Sequence, residues 1–301
     1  MIALHHAWDS LQSFKVRMCL AEIGLPWDGH ALSLTDFDHL KPAYIAINPD
    51  GLVPALETEE GVLTESSIIN AYLDEVFNSS RLQPGSAFLR ARMRWWCHHE
   101  DTVVHPAIRP PTFNLYIKPL LSALSRSAME ERVSRHPQPE RAAAYRAAVA
   151  APFDAAAVIA AIRSLDRTMS RIDEEVAGTG WLAGDAFTLA DIAMASMVER
   201  LQMLSLEGLW DRHPRARDWS RRMAERPSFA LARGGEAAGR LSPGDRALAR
   251  ELVAQALAVV PLVRPVPHHS RALAPVPAPP TLEETCLSPQ PQSSRKIFLS
   301  A

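Results

Sequence analysis

Residues 48–75, NPDGLVPALETEEGVLTESSIINAYLDE, hold a turn, a strand pair and a helix start, and the fold of the N-terminal part is read from them. LVPALE (52–57) and GVLTE (61–65) read as two strands around Glu59-Glu60-Gly61. Residues 66–77 follow with Ile68, Ile69, Tyr72 and Leu73 at helical spacing. Val53-Pro54 precedes a strand and is a candidate cis peptide, an isomer that X-Pro bonds adopt far more readily than others. A cis bond there would present the Val53 N–H and C=O to an extended peptide, like an added strand edge. Glu65-Ser66 lies where strand gives way to helix, and free N–H groups at a helix start favour an anion. Ser66 is therefore a candidate for a carboxylate and Glu65 for a neighbouring ammonium, together an α-amino acid head group. The competing reading is that Ser66 only caps the helix.

Outward toward the N-terminus, IALHH (2–6) is a short strand. QSFKVRMCLAEIG (12–24) has apolar residues at helical spacing and stops at Gly24. DGHALSL (28–34) alternates as a second strand, and a short helix is expected within 39–46. The order is β-α-β-α-β-β-α. SLQSFKVR (10–17) falls between the first strand and the first helix, at the C-terminal edge of the sheet, where ligands gather. A thiol bound there would be acidified by hydrogen bonds to its thiolate and by the helix N-terminus. Ser10 and Ser13 both offer hydroxyls, and one of them is expected to be the N-cap.

Outward toward the C-terminus the strand signals stop after Gly85. Residues 87–104 read as a helix rich in Arg, Trp and His, broken by Pro106, Pro110 and Pro111. Residues 140–177 are helical with an interruption near Pro152. Thr188 and Asp191 form a capping-box variant after the turn Trp181-Leu182-Ala183-Gly184. A short helix follows at 215–226, and Ser242-Pro243 starts a last one to about Val260. Beyond 260 the chain is too proline-rich for a packed core and is expected to be extended and disordered. The expected domains are 1–80, 86–233 and an extension, 234–301.

The 301 residues are 47% hydrophobic and 22% charged, which fits a globular protein. A net charge of -2 speaks against nucleic acid as a partner. No apolar run reaches the roughly 18 residues of a membrane span, and the start MIALHHAWDS lacks the pattern of a signal peptide. A cytoplasmic location without membrane contact is the expectation. Cys19, Cys97 and Cys286 form neither a disulfide framework nor a Cys-x-x-Cys pair. Cys97-His98-His99-Glu100 has the composition of a metal cluster, but His98 and His99 point about 100° apart on a helix. No metal is assigned. Trp95 and Trp96 read as packing residues, and Cys19 as a buried thiol.

The combination S-x-x-S-x-K-V-R (10–17), N-P-x-G-x-V-P-A-L (48–56), T-E-S-x-x-I (64–69) and L-A-G-D-x-x-T-L-A-D-I (182–192) resembles the glutathione transferase family over about residues 1–230. Leu63-Thr64-Glu65-Ser66, Ala91-Arg92-Met93-Arg94 with Trp96 and Asp101, and the segment 136–191 are similar to bacterial β-aryl etherases of lignin catabolism. The resemblance implies a thioredoxin-like N-terminal domain followed by an all-helical bundle domain, with glutathione as co-substrate. It implies that Glu65 and Ser66 bind the γ-glutamyl end and that Val53, before Pro54, pairs with the cysteinyl backbone. His39 would contact the glycyl carboxylate, with Lys41 as runner-up. Asp101 would reach the γ-glutamyl ammonium of a neighbouring subunit in a homodimer. The thiolate partner is Ser13, next to Gln12, in the etherase alignment, or Ser10 in other serine-type classes. His98, Arg109, Phe113 and Tyr116 are candidates to line the pocket for a hydrophobic aromatic electrophile. The implied activity is transfer of glutathione to that electrophile, in the etherase version with cleavage of a β-aryl ether. Alternatives are a detoxifying transferase, an isomerase, a dehalogenase, or a binding protein without turnover.

Overall fold

The computed structural model describes residues 2–122, 124–234 and 241–258. All of them belong to one compact unit, Met1–Arg264. The proline-rich segment after 260 and Cys286 lie outside the described residues.

The N-terminal half runs β1 (Ala3–His6), α1 (Leu11–Ile23), β2 (Asp28–Ala31), α2 (Pro42–Ile45), β3 (Ala55–Thr58), β4 (Gly61–Leu63) and α3 (Ser66–Phe77). A single 3-10 turn, Asp38–Leu40, precedes α2. The sheet order is β2-β1-β3-β4, with β1 parallel to β2 and antiparallel to β3, and β3 antiparallel to β4. This is the expected thioredoxin-like arrangement. Leu4 and Leu56 stand opposite each other in the register and are fully buried, while every residue of edge strand β2 is exposed. α1 ends at Gly24, whose φ of 71° suits a residue without Cβ and lets its N–H close on Leu20 O. Every residue of α1 from Leu11 to Leu20 except Gln12 is buried, including Lys15 and Arg17. α1 is therefore a central helix, and its two cations need partners inside the protein.

The helical half begins with α4 (Ala87–His99), α5 (His105–Thr112) and α6 (Lys118–Ser122). Contrary to the sequence expectation, the prolines do not break this rod. π-helical turns at Glu100–Val104 and Phe113–Ile117 join the three helices. Widening the turn accommodates prolines that lack a donor and press on the carbonyl four residues back. Side chains take up carbonyls along the rod: Thr102 Oγ1 donates to His98 O (2.7 Å), Thr112 Oγ1 to Ile108 O (2.7 Å) and Asn114 Nδ2 to Pro110 O (3.0 Å).

Next come α7 (Arg126–Val133), α8 (Pro139–Ala150), the long α9 (Ala155–Thr179), α10 (Leu189–Met203), α11 (Pro214–Ala224), α12 (Pro227–Arg233) and α13 (Pro243–Ala258). The break between α8 and α9 falls where Pro152 predicts it. α10 starts at the capping box of Thr188 and Asp191. The Asp191 carboxylate also accepts from Trp219 Nε1 (2.9 Å) and Leu182 N (3.2 Å). α10 and α12 pack on α1, and α13 packs on α9. A main core runs through both halves. A second, smaller core joins Phe37 and Leu40 of the N-terminal half to Leu121, Met129, Val133 and Ala142 of α6–α8. Trp96 is buried as expected, but Trp95 is exposed. Among the described residues no single helix is long and apolar enough to cross a membrane.

Candidate functional site

The loop from His6 to Ser10 delivers the chain from the end of β1 into the first turn of α1. Ser10 is the N-cap: it is half-buried, and its Oγ accepts the Ser13 N–H at 3.1 Å. Among the described residues no hydrogen bond uses its proton, which is left for a ligand beside the positive end of the helix. Ser13 is fully buried, and its Oγ accepts the Ala7 N–H at 3.3 Å. Gln12 links two helices. Its Oε1 accepts from Ser66 Oγ at 2.5 Å, and its Nε2 donates to Glu100 Oε1 at 3.2 Å. The Gln12–Ser66 bond brings the first turns of α1 and α3 together, so two helix N-termini serve one place.

The Val53-Pro54 peptide is cis, immediately before β3. Leu52 O accepts from Asn48 Nδ2 (2.8 Å) and from the Tyr44 hydroxyl. Gly51, at φ 59°, passes so near the 38–45 segment that an added Cβ would lie 3.2 Å from His39 O. Glu65 precedes α3 at φ 64° and ψ 106°, a conformation seldom held by a non-glycine residue and a mark of functional turns. Its carboxylate is exposed and has no hydrogen bond or ion pair among the described residues. Ser66 is buried at the start of the helix. The geometry leaves the Glu65 carboxylate open to a cation, while Ser66 gives its hydroxyl proton to Gln12 and the start of α3 keeps its free N–H groups for an anion.

Beneath this lies a group of charges that sequence reasoning did not assemble. Lys15 and Glu100 are both fully buried and paired, and Lys15 Nζ also donates to Asp101 Oδ1 (2.9 Å) and Ser67 Oγ (3.0 Å). The π-turn starting at Glu100 brings two consecutive carboxylates to one ammonium. Burial pushes the Glu100 carboxyl up to about 7, against the pull of Lys15. Burial also works to raise Asp101, but Lys15 prevails and holds it low. Lys15 itself stays charged, since two carboxylates outweigh its burial. Asp101, expected to face a neighbouring subunit, is tied to Lys15 within its own chain. Lys15 belongs to the motif at 10–17, and Glu100 to the supposed metal cluster. Only the unusual burial of a lysine in the first helix would have linked them.

His39 and Lys41 diverge. His39 is 4% exposed, its ring lies over Phe37, and its Nδ1 has no partner. Burial lowers its pKa to about 4, with nearby His136 adding to the shift, so the ring is neutral near pH 7. Lys41 is exposed and pairs with Asp38 at 2.6 Å. In the helical half, Arg200 is buried on α10, donates to Asp9 O (2.6 Å), and its Nε makes no hydrogen bond but lies 3.6 Å from the Glu199 carboxylate. Burial raises the Tyr116 hydroxyl to about 12, and the charges of Asp9, Arg200 and Glu199 all act on it. His98 is exposed on α4. Asp9 and Arg200 carried no signal in the sequence.

A family model described as Glutathione S-transferase, N-terminal domain, matches residues 9–76, and one described as Glutathione S-transferase, C-terminal domain, matches residues 121–227. The chain is 29% identical over 231 residues to Glutathione S-transferase GstB of Escherichia coli (strain K12), covering 76% of this chain and 95% of GstB. It is 28% identical over 204 residues to Protein LigF of Sphingobium sp. (strain NBRC 103272 / SYK-6), covering 67% of this chain and 79% of LigF. The crystal structure of LigF, described as a beta-etherase, superposes with a TM-score of 0.70 at 25% identity, covering 77% of this chain and 98% of that one.

Proposed function

The chain belongs to the glutathione S-transferase family, which uses glutathione as co-substrate, and from that premise we propose that it activates glutathione as thiolate for attack on a hydrophobic aromatic electrophile. The observation that carries this reading is the Gln12–Ser66 hydrogen bond, because it unites the two helix N-termini that the tripeptide needs. Ser66 and the start of α3 hold the γ-glutamyl carboxylate, and Glu65 the ammonium. Val53 pairs with the cysteinyl backbone. Gln12 fixes Ser66, and Lys15 with Glu100 fixes Gln12.

Ser10 is the thiolate's hydrogen-bond donor in this reading. Its hydroxyl is half-exposed and polarised by the Ser13 N–H it accepts. Ser13, favoured by the etherase resemblance, has its hydroxyl turned inward to Ala7. A donated hydrogen bond and the helix dipole favour the thiolate over the thiol.

The likeness to LigF supports β-aryl ether cleavage as the reaction. The thiolate sulfur bonds to the ether-bearing carbon beside an aryl ketone, and the C–O bond breaks. The electron pair leaves on the phenolate, which takes a proton to become the phenol. Tyr116, half-buried in the helical half, offers a hydroxyl to the oxygens of such a substrate. Positioning and electrostatics carry the rate. The protein works as a homodimer in this reading, in keeping with a family that is typically dimeric.

Turnover of an α-keto β-aryl ether, assayed beside a generic aryl halide, tests the proposal. The ether is expected to be the faster substrate. Turnover of the halide alone points to a general transferase. Glutathione binding without an ultraviolet thiolate band near neutral pH points to a binding protein without turnover.

A further inference from the structure

The three peptide carbonyls that lead into Ser10 are all held by guanidinium groups. Arg17 of α1 is 2% exposed and reaches back to the loop, where its Nη1 donates to Ala7 O at 2.8 Å and its Nη2 to Trp8 O at 3.1 Å. Arg200 of α10 completes the row, with Nη2 donating to Asp9 O at 2.6 Å. Ala7 O also accepts the Ser10 N–H at 3.2 Å, so the backbone of Ser10 hangs on a carbonyl that Arg17 fixes. Loop carbonyls ordinarily turn to water or to backbone N–H groups, whereas here charged donors from two helices hold three in succession.

Arg17 has two further partners. Its Nη1 donates to His6 Nδ1 at 3.2 Å and its Nε to Ala232 O at 2.8 Å, in α12. Burial lowers His6 to about 4, with Arg17 adding to the shift, so the ring is neutral and able to accept. The half-buried Trp8 ring has its centroid 4.6 Å from Arg17 Cζ. Gly234, just past α12, passes so close to that ring that a Cβ would have no room. The other end of α12 is tied to α1 by Arg226 Nε and Glu22 at 2.6 Å, and Phe229 packs edge-on against Phe14. Among the described residues every hydrogen-bond partner of Arg17 is neutral. Burying a cation among neutral partners is unfavourable in itself, and its effect is to leave residues 7–9 a single arrangement.

We propose that Arg17 and Arg200 are positioning residues for the Ser10 hydroxyl, holding the carbonyls of Ala7, Trp8 and Asp9 so that the donor faces the place where the thiolate forms. This inference rests on the reading of Ser10 as the thiolate's donor and extends it. Neither guanidinium touches glutathione. A donor fixed in place favours the thiolate more than one that must reorient. Through Ala232, Arg17 also makes the geometry of this loop depend on α12, far along the chain.

The test follows the ultraviolet thiolate band of bound glutathione against pH in the wild type, Arg17→Lys, Arg200→Lys and Ser10→Ala. S-methylglutathione, which has no thiol to ionise, reports the rest of the site by calorimetry. In Arg17→Lys the midpoint of the band is expected to rise by about one pH unit. Below that midpoint kcat falls about tenfold, and it recovers above it. Affinity for S-methylglutathione stays within about threefold. Arg200→Lys, which frees one carbonyl, shifts the midpoint the same way by about half as much, and it decides the matter should Arg17→Lys fail to fold. Combining Arg17→Lys with Ser10→Ala adds no shift beyond that of Ser10→Ala, because both act through one hydroxyl. The assignment is overturned if the midpoint stays in place while thermal stability or S-methylglutathione affinity falls, since the arginines then only hold the fold. It is also overturned if the shifts add in the double variant, since the arginines then act on the thiolate by charge alone. A wild-type midpoint in Ser10→Ala would remove the Ser10 reading itself, whereas failure of the arginine variants alone leaves Ser10 in its role.

Discussion

Ser10 and Ser13 sit one helical turn apart, yet their hydroxyls do different work. Both oxygens accept a backbone N–H, but Ser10 is half-buried at the cap of α1 and can turn its proton to a ligand, whereas Ser13 is fully buried against Ala7. The two alanine variants should therefore separate catalysis from folding. Ser10→Ala is expected to lower turnover at least about tenfold, with roughly 1 kcal/mol of stability lost with the cap. Ser13→Ala should leave turnover within about threefold but cost about 1–3 kcal/mol, because the Ala7 N–H loses its acceptor. Steady-state rates and denaturant unfolding of both variants check this, and the reverse pattern would assign the thiolate to Ser13. His39 adds a pH signature. Its folded pKa of about 4 lies below the ordinary 6.5, so the unfolded chain binds the extra proton between those values. Stability from this group is full above pH 6.5 and is lost as the pH falls toward 4. Relative to His39→Gln, the wild type should lose on the order of 3 kcal/mol across that window, read from unfolding curves at its two ends.

At the scale of elements, Lys15 is what joins α1 to the rod that begins with α4. Lys15→Met would leave Glu100 buried without a cation and is expected to destabilise the fold by about 3–5 kcal/mol. Adding Glu100→Leu should restore most of that loss, because the orphaned charge is then gone. A double-mutant cycle on unfolding free energies measures the coupling, and additive losses would show that the pair is not what binds the two helices. This link also marks the limit of what the sequence discloses. The elements of the N-terminal half, the break before α9 and the capping box of α10 were legible, since each is written in local spacing, turn residues or caps. The Glu65–Ser66 corner was legible for the same reason. Lys15 and Glu100 are 85 positions apart, and Gln12 and Ser66 are 54 apart, so their union is a product of packing that no local pattern announces. The rod through Pro106, Pro110 and Pro111 is not legible in the sequence because propensity weighs a missing donor. It does not foresee that two π-turns and the side chains of Thr102, Thr112 and Asn114 would rearrange the carbonyls.

For the molecule as a whole, the distribution of exposed apolar side chains bears on assembly. Phe88 is 66% exposed and Ile68 59%, and Val62, Val76 and Trp95 are also open to solvent. They sit on β4, α3 and α4, consecutive elements that border the candidate site at Glu65–Ser66. Scattered single residues of this kind are ordinary, but several large ones on neighbouring elements mark a surface for association. A second copy of the chain is the occupant that the family reading supplies. A two-fold contact on these elements would stiffen the start of α3, whose backbone at Glu65 is already held in an uncommon conformation. Phe88→Asp is therefore expected to convert a dimer into a monomer in sedimentation equilibrium, with the helical content unchanged. Glutathione affinity should weaken severalfold in the same variant, because α3 loses its support. A wild-type chain that sediments as a monomer, or a Phe88→Asp chain that remains dimeric, would show that this face does not join two copies. Retention of full glutathione affinity by a monomeric variant would show that each chain builds its site alone, with Asp101 committed to Lys15 as it is here.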